Sequence, residues 1–74
     1  MTPNQKGKQI VKRYGSLPLA LESVMDILEE LFLIHNQDDK NEFVMNKLNF
    51  FMDVEDILHQ NLITNGYKLT KNGK

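Results

Sequence analysis

Residues 17–35 read LPLALESVMDILEELFLIH, and this stretch decides the fold class. Its apolar residues recur every three or four positions, which places them on one face of an α-helix. Acidic residues, among them Glu22 and Glu29, mark the opposite face. The pattern therefore predicts a long amphipathic helix with a buried stripe formed by Leu17, Ala20, Leu21, Val24, Ile27, Leu28, Leu31 and Phe32.

A shorter helix is predicted upstream of this stretch. The Thr-Pro-Asn-Gln sequence at positions 2–5 is typical of a capped helix start, because threonine and glutamine can form a capping box and proline suits the first turn. We expect this helix to end near Tyr14, with Gly15 as a left-handed C-cap and Ser16 as the N-cap of the next helix.

A third helix is predicted after a polar break at residues 36–40. Asp39, followed three residues later by Glu42, resembles a capping signature, and the helix should extend to about Asn61. This helix is too apolar for one neighbour, so either it lies between two helices of its own chain or it offers apolar surface to another molecule, and we favour a second copy. One apolar row consists of Phe43, Phe50, Val54 and Ile57, the other of Val44, Leu48, Phe51, Leu58 and Leu62, and Met45 and Met52 widen the surface.

The predicted fold class is all-α, with a short N-terminal helix followed by an antiparallel two-helix hairpin. A chain of 74 residues builds only a small core, and oligomerisation into a helical bundle would enlarge it. We expect one domain over residues 1–66 and a flexible tail over residues 67–74. The Asn-Gly pair at 65–66 leaves an alternative, a β-hairpin joining residues 63–64 to residues 67–70.

Composition excludes several classes of protein. The sequence has no cysteine, which removes disulfides, thiolate metal sites and cysteine nucleophiles and is consistent with a reducing cytoplasm. The longest apolar region carries four acids, too much charge for a membrane span. We therefore expect a soluble cytoplasmic protein.

Charge is strongly segregated along the chain. All ten acids lie between Glu22 and Asp56, whereas residues 1–15 and 61–74 carry only basic charges. One hypothesis is that the basic ends contact phosphates. We prefer complementarity with the acidic helices, either within the molecule or head to tail between copies, because the net charge is −1 and no aromatic ladder accompanies the lysines in sequence. The candidate phosphate contacts are Lys6, Lys8, Lys12 and Arg13.

The sequence does not indicate an enzyme, and we expect no catalytic residue, no cofactor and no metal. Glycines are isolated, so no phosphate-binding loop is visible. The sharpest metal hypothesis is Glu55, Asp56 and His59, whose spacing places them on neighbouring positions of one helix. A bundle site needs inward carboxylates from other helices as well, so we favour a helical surface pair between Glu55 and His59.

Three segments carry a resemblance to a known group. Residues 8–14 read KQIVKRY, residues 20–28 read ALESVMDIL and residues 51–58 read FMDVEDIL. In this order they resemble short helical proteins encoded by bacteriophages and prophages of AT-rich bacteria. The resemblance implies a phage or mobile-element origin, hence a bacterial host cell, and implies no catalytic residues.

The leading functional hypothesis is a non-catalytic helical interaction module that binds itself, with a dimer favoured, and another protein. If the phage origin holds, a host factor that the module inhibits is a plausible partner. The alternative is nucleic-acid or nucleotide binding through the basic termini. The residues predicted to form the self or partner interface are Leu19, Leu33, Met45, Leu48, Phe51 and Met52.

Overall fold

The computed structural model describes residues 1–64, which form three helices: α1 (Pro3–Tyr14), α2 (Leu17–Gln37) and α3 (Glu42–Thr64). The all-α prediction is confirmed, and α2 and α3 extend two or three residues beyond their predicted ends. The predicted tail at residues 67–74 lies outside the described residues. The same holds for most of the alternative β-hairpin, although Ile63 and Thr64 belong to α3.

The predicted caps of α1 and α2 are confirmed. The Gln5 N–H donates to the Thr2 hydroxyl at 3.2 Å, and the Thr2 N–H donates to Gln5 Oε1 at 2.9 Å, which completes the capping box. Gly15 adopts φ +86°, a left-handed conformation that favours glycine. The next residue, Ser16, accepts the Leu19 N–H at 3.3 Å and begins α2. Two helices thus meet at a corner set by local hydrogen bonds.

The predicted cap of α3 is wrong by two residues. Asn41, not Asp39, precedes the helix, and Asn41 Oδ1 accepts the Val44 N–H at 3.2 Å. Residues 39 and 40 form a turn in which the Asn41 N–H donates to the Asp38 carbonyl at 3.3 Å. The turn delays the helix start, because a cap must stand immediately before the first helical residue.

The short connection at residues 38–41 reverses the direction of the chain, so α2 and α3 lie side by side as an antiparallel pair.

Phe32 and Phe43, which the sequence pattern placed in apolar rows, are exposed, because they lie at the margins of their helices' buried faces. The core cluster consists of Ile10, Ala20, Leu21, Val24, Leu28, Leu48, Phe51, Val54, Leu58 and Leu62.

The first helix packs against both members of the hairpin. It packs on α3 at Gly7, where an added Cβ would lie 3.4 Å from the Leu58 side chain, and Ile10 joins the core. The third helix therefore lies between two helices of its own chain, one of the two arrangements that its sequence allows. Completion of the bundle by a second copy stays a prediction.

Substitution of two glycines tests the position of α1. We expect Gly7→Ala to raise the free energy of unfolding by up to about 1 kcal/mol, because alanine favours the helix and its methyl group would meet Leu58 at ordinary contact distance. Gly15→Ala should lower it by about 1 kcal/mol, because the backbone there is left-handed. Urea denaturation measures both. Destabilisation by Gly7→Ala would show that α1 lies closer to α3.

A second pair of substitutions tests which apolar residues of α3 form the core. Leu48 is 5% exposed and Met45 is 41% exposed. We expect Leu48→Asp to unfold the protein, because a buried unpaired carboxylate costs several kcal/mol in a small domain, on the order of its whole stability. Met45→Asp should keep its helical circular dichroism and cooperative melting. Equal tolerance of both substitutions would contradict this core.

Candidate interaction surfaces

One side of the α2–α3 hairpin carries an apolar groove that α1 does not reach. The groove is lined by Met25, Leu28 and Phe32 of α2, with Glu29 and Glu55 at its margins. The hollows to which α1 contributes residues lie elsewhere, beside Ile57 and Phe50 on the other flank of α3 or beside Ser23 and Ile27 of α2. No described segment of the chain covers the groove.

Two methionines of α3 widen this apolar surface. Met52 lies three residues before Glu55, and Met45 lies seven residues before Met52, so all three share one flank of the helix. Both methionine side chains are exposed by more than two fifths. We call the surface formed by Met25, Phe32, Met45 and Met52, with Glu29 and Glu55 beside it, the open face.

The structure brings together only part of the predicted interface. Met45 and Met52 lie on the open face, whereas Leu48 and Phe51 are buried in the core of the chain itself. Leu19 and Leu33 are exposed as expected, but they lie 14 residues apart on α2, roughly 21 Å along the helix. The predicted interface did not include Met25 or Phe32, and the sequence pattern had placed Phe32 on the buried stripe of α2.

The four basic residues of α1 divide into two pairs. Lys8 and Lys12, one helical turn apart, line a hollow on one side of α1, and Lys6 and Arg13 line a hollow on the other side. They do not form one phosphate-binding cluster. Among residues 1–64, no lysine or arginine forms an ion pair with a carboxylate, so direct pairing with the acidic helices is not what holds them.

Lys6 also contributes to a second hollow, where the fold places it beside aromatic rings. This hollow is lined on the α3 side by Phe43, Asn46, Lys47, Phe50 and Phe51. The Lys47 Nζ lies 5.6 Å from the centre of the Phe43 ring, and Phe50 packs edge-to-face on Phe51 with ring centres 5.4 Å apart. We call this hollow the aromatic groove.

Sequence reasoning missed the aromatic groove, although part of its signal was visible. Phe43 and Lys47 are four residues apart and therefore neighbours on a helix. Their proximity to Lys6 depends on the way α1 crosses α3, which no local pattern records.

Glu55 and His59 form the predicted helical pair. Glu55 Oε2 lies 3.2 Å from His59 Nδ1, and both side chains are partly exposed. Asp56 does not complete a metal-binding group with them, and none of the described residues form a cluster of three such ligands. His35 Nδ1 is buried and has no hydrogen-bond partner among the described residues.

None of the helices described for this chain is both long enough and apolar enough to cross a lipid bilayer. Comparisons of the chain with protein-family models, with curated proteins and with solved structures found no match.

Proposed function

We propose that this protein is a non-catalytic helical interaction module that uses the open face to bind a second copy of itself and another protein. The observation that carries the proposal is the one-sided position of α1, which leaves an apolar groove between α2 and α3 uncovered by any described residue. A groove between two helices suits the ridge of a third helix, which would complete a bundle.

The side chains of the open face suit this role. Methionine is flexible and polarisable, so surfaces rich in it adapt to different apolar partners. Phe32 is 46% exposed and would supply a large apolar contact when covered. The same face can therefore accept an identical helix or a helix of another protein.

The resemblance to phage-encoded proteins supports the proposal that the partner is a host or phage protein in the bacterial cytoplasm. A small protein without a catalytic centre acts on such a partner by occupying one of its surfaces. Inhibition of a host factor is the form of action that we propose.

The acids beside the open face give self-association a distinctive salt dependence. Two copies that meet through this face bring Glu29 and Glu55 of each into one interface, where like charges repel. Salt screens this repulsion, so association through the open face should strengthen as salt is raised. Self-association through oppositely charged surfaces would instead weaken as salt is raised.

Met52→Asp tests the open face. We expect this variant to remain helical but to lose self-association, because a carboxylate at the centre of an apolar interface would be desolvated without a partner. Molar mass measured by light scattering over a dilution series, at low and high salt, reports the change. The wild-type protein should form a dimer or a larger species that dissociates on dilution.

Ile34→Asp is the matched control. Ile34 is 44% exposed and Met52 is 45% exposed, but Ile34 follows Phe32 by two residues and so points about 200° away from it around α2. This control should associate as the wild type does. A wild-type protein that stays monomeric at all concentrations, or equal association of Met52→Asp, would remove the open face as a self-association surface.

A further inference from the structure

The aromatic groove lies on the flank of the hairpin opposite the open face and has a different chemistry. Two lysines, Lys6 and Lys47, and the amide of Asn46 line it together with Met1 and three phenylalanines, and its lining contains no carboxylate. The chain as a whole is net negative, with ten acids. The fold has therefore separated a cationic, aromatic hollow from an otherwise acidic hairpin.

Phe43 is the least expected side chain in this hollow. It is 69% exposed, more than any other described phenylalanine, and it is the second residue of α3. The Lys47 ammonium lies near its ring at cation–π distance. An exposed ring next to an ammonium group offers a stacking surface and a positive charge within one helical turn.

The second ring of the groove is fixed by the core. Phe50 is half-buried, and its edge-to-face contact with buried Phe51 has an interplanar angle of 85°. Phe51 anchors this pair because it belongs to the core cluster. A planar ligand would therefore meet one accessible ring at Phe43 and one held ring at Phe50.

We propose that the aromatic groove binds a nucleotide unit, with the base stacked on Phe43 and the phosphate contacted by Lys6 and Lys47. Nucleobases stack on aromatic side chains irrespective of sequence, and lysines alongside track the phosphates. The hollow has a volume of about 380 Å³, near the lower end of the range for ligand sites, which suits one nucleotide unit. The unit is either a free nucleotide or part of a single strand.

This inference goes beyond the proposed function, because it assigns a second ligand to a different surface. It also alters the hypothesis drawn from the basic termini. Lys8 and Lys12 line a hollow whose other members include no aromatic residue, and Arg13 lines a separate hollow with Tyr14 and Phe51. Lys6 is therefore the basic residue that α1 contributes to the aromatic groove itself. The second predicted phosphate contact in the aromatic groove is Lys47 of α3, and not another basic residue of α1.

Binding is measured with two probes. Fluorescence anisotropy follows a dye-labelled single-stranded oligothymidylate of about twelve nucleotides, and NMR follows the Phe43 ring during titration with adenosine monophosphate. Binding of the mononucleotide alone or of both probes identifies a free-nucleotide site, and binding of the oligonucleotide alone identifies a single-strand site. Failure of both probes to bind overturns the proposal.

Two double variants, each of which removes two positive charges, distinguish a specific binding site from non-specific electrostatic attraction. Lys6→Gln with Lys47→Gln should weaken binding of the oligonucleotide at least about tenfold and flatten its salt dependence, since two phosphate contacts contribute a logarithmic slope of about −1.4 on a single strand. Lys8→Gln with Lys12→Gln removes the same charge and should change affinity by less than about twofold. Equal losses in both double variants overturn the assignment.

Phe43→Ala tests stacking, with Leu33→Ala as its control. Both residues are exposed by 60% or more, so neither substitution removes core packing. Loss of one base stack should weaken binding by about tenfold, and Leu33→Ala should leave it unchanged. If Phe43→Ala binds with wild-type affinity, or if an oligoglutamate peptide competes equally well, the groove attracts anions without recognising a base, and the proposal is overturned.

Thermal melting confirms that each variant is folded. Lys47→Arg keeps the positive charge and should therefore retain binding.

The outcome is independent of the open face. Met52→Asp changes self-association and lies on the other flank of α3, so it should leave nucleotide affinity unchanged under conditions where the protein is monomeric. A failure of one proposal is therefore distinguishable from a failure of the other.

Discussion

The packing of Leu58 against α1, within the core that α3 shares with α2, is the contact on which the arrangement of the three helices depends. Its side chain is 1% exposed, reaches ordinary contact distance from a Cβ at Gly7, and belongs to the same core cluster as Val24 of α2. A methyl group at position 7 would also fit against Leu58, so this contact does not require glycine. One leucine thus connects the N-terminal helix to the hairpin.

The lengths of the helices make this arrangement one-sided. With 12 residues α1 spans about 18 Å, whereas α3 with 23 residues spans about 35 Å. A helix that short covers part of one flank of the hairpin and leaves the other flank open. The two remaining surfaces differ in chemistry: methionines with Glu29 and Glu55 on the open face, and phenylalanines with Lys6 and Lys47 in the aromatic groove. The two flanks of the hairpin therefore carry side chains of opposite charge.

Local signals predicted the helices well and the surfaces only in part. Thr2, Gly15 and Ser16 act within a few residues of themselves, so their roles could be read from the sequence. Asn41 displaced Asp39 as a cap because a turn intervened. Leu48 and Phe51 were predicted to meet a partner, yet they lie in the core, because an apolar row on a helix does not specify whether its own chain or another molecule covers it.

The sequence by itself determined an all-helical chain with a capped corner at Gly15 and Ser16, an acidic middle and a third helix with more apolar surface than one neighbour can cover. These properties depend on hydrogen bonds and periodicities that span fewer than eight residues. Only the tertiary structure decided which flank of α3 faces α1, that Met25 and Phe32 share a groove with Glu55, and that Lys6 lines the same hollow as Phe43. Those contacts join residues that are far apart in sequence. They depend on how the three helices are oriented relative to one another, which no local sequence pattern specifies.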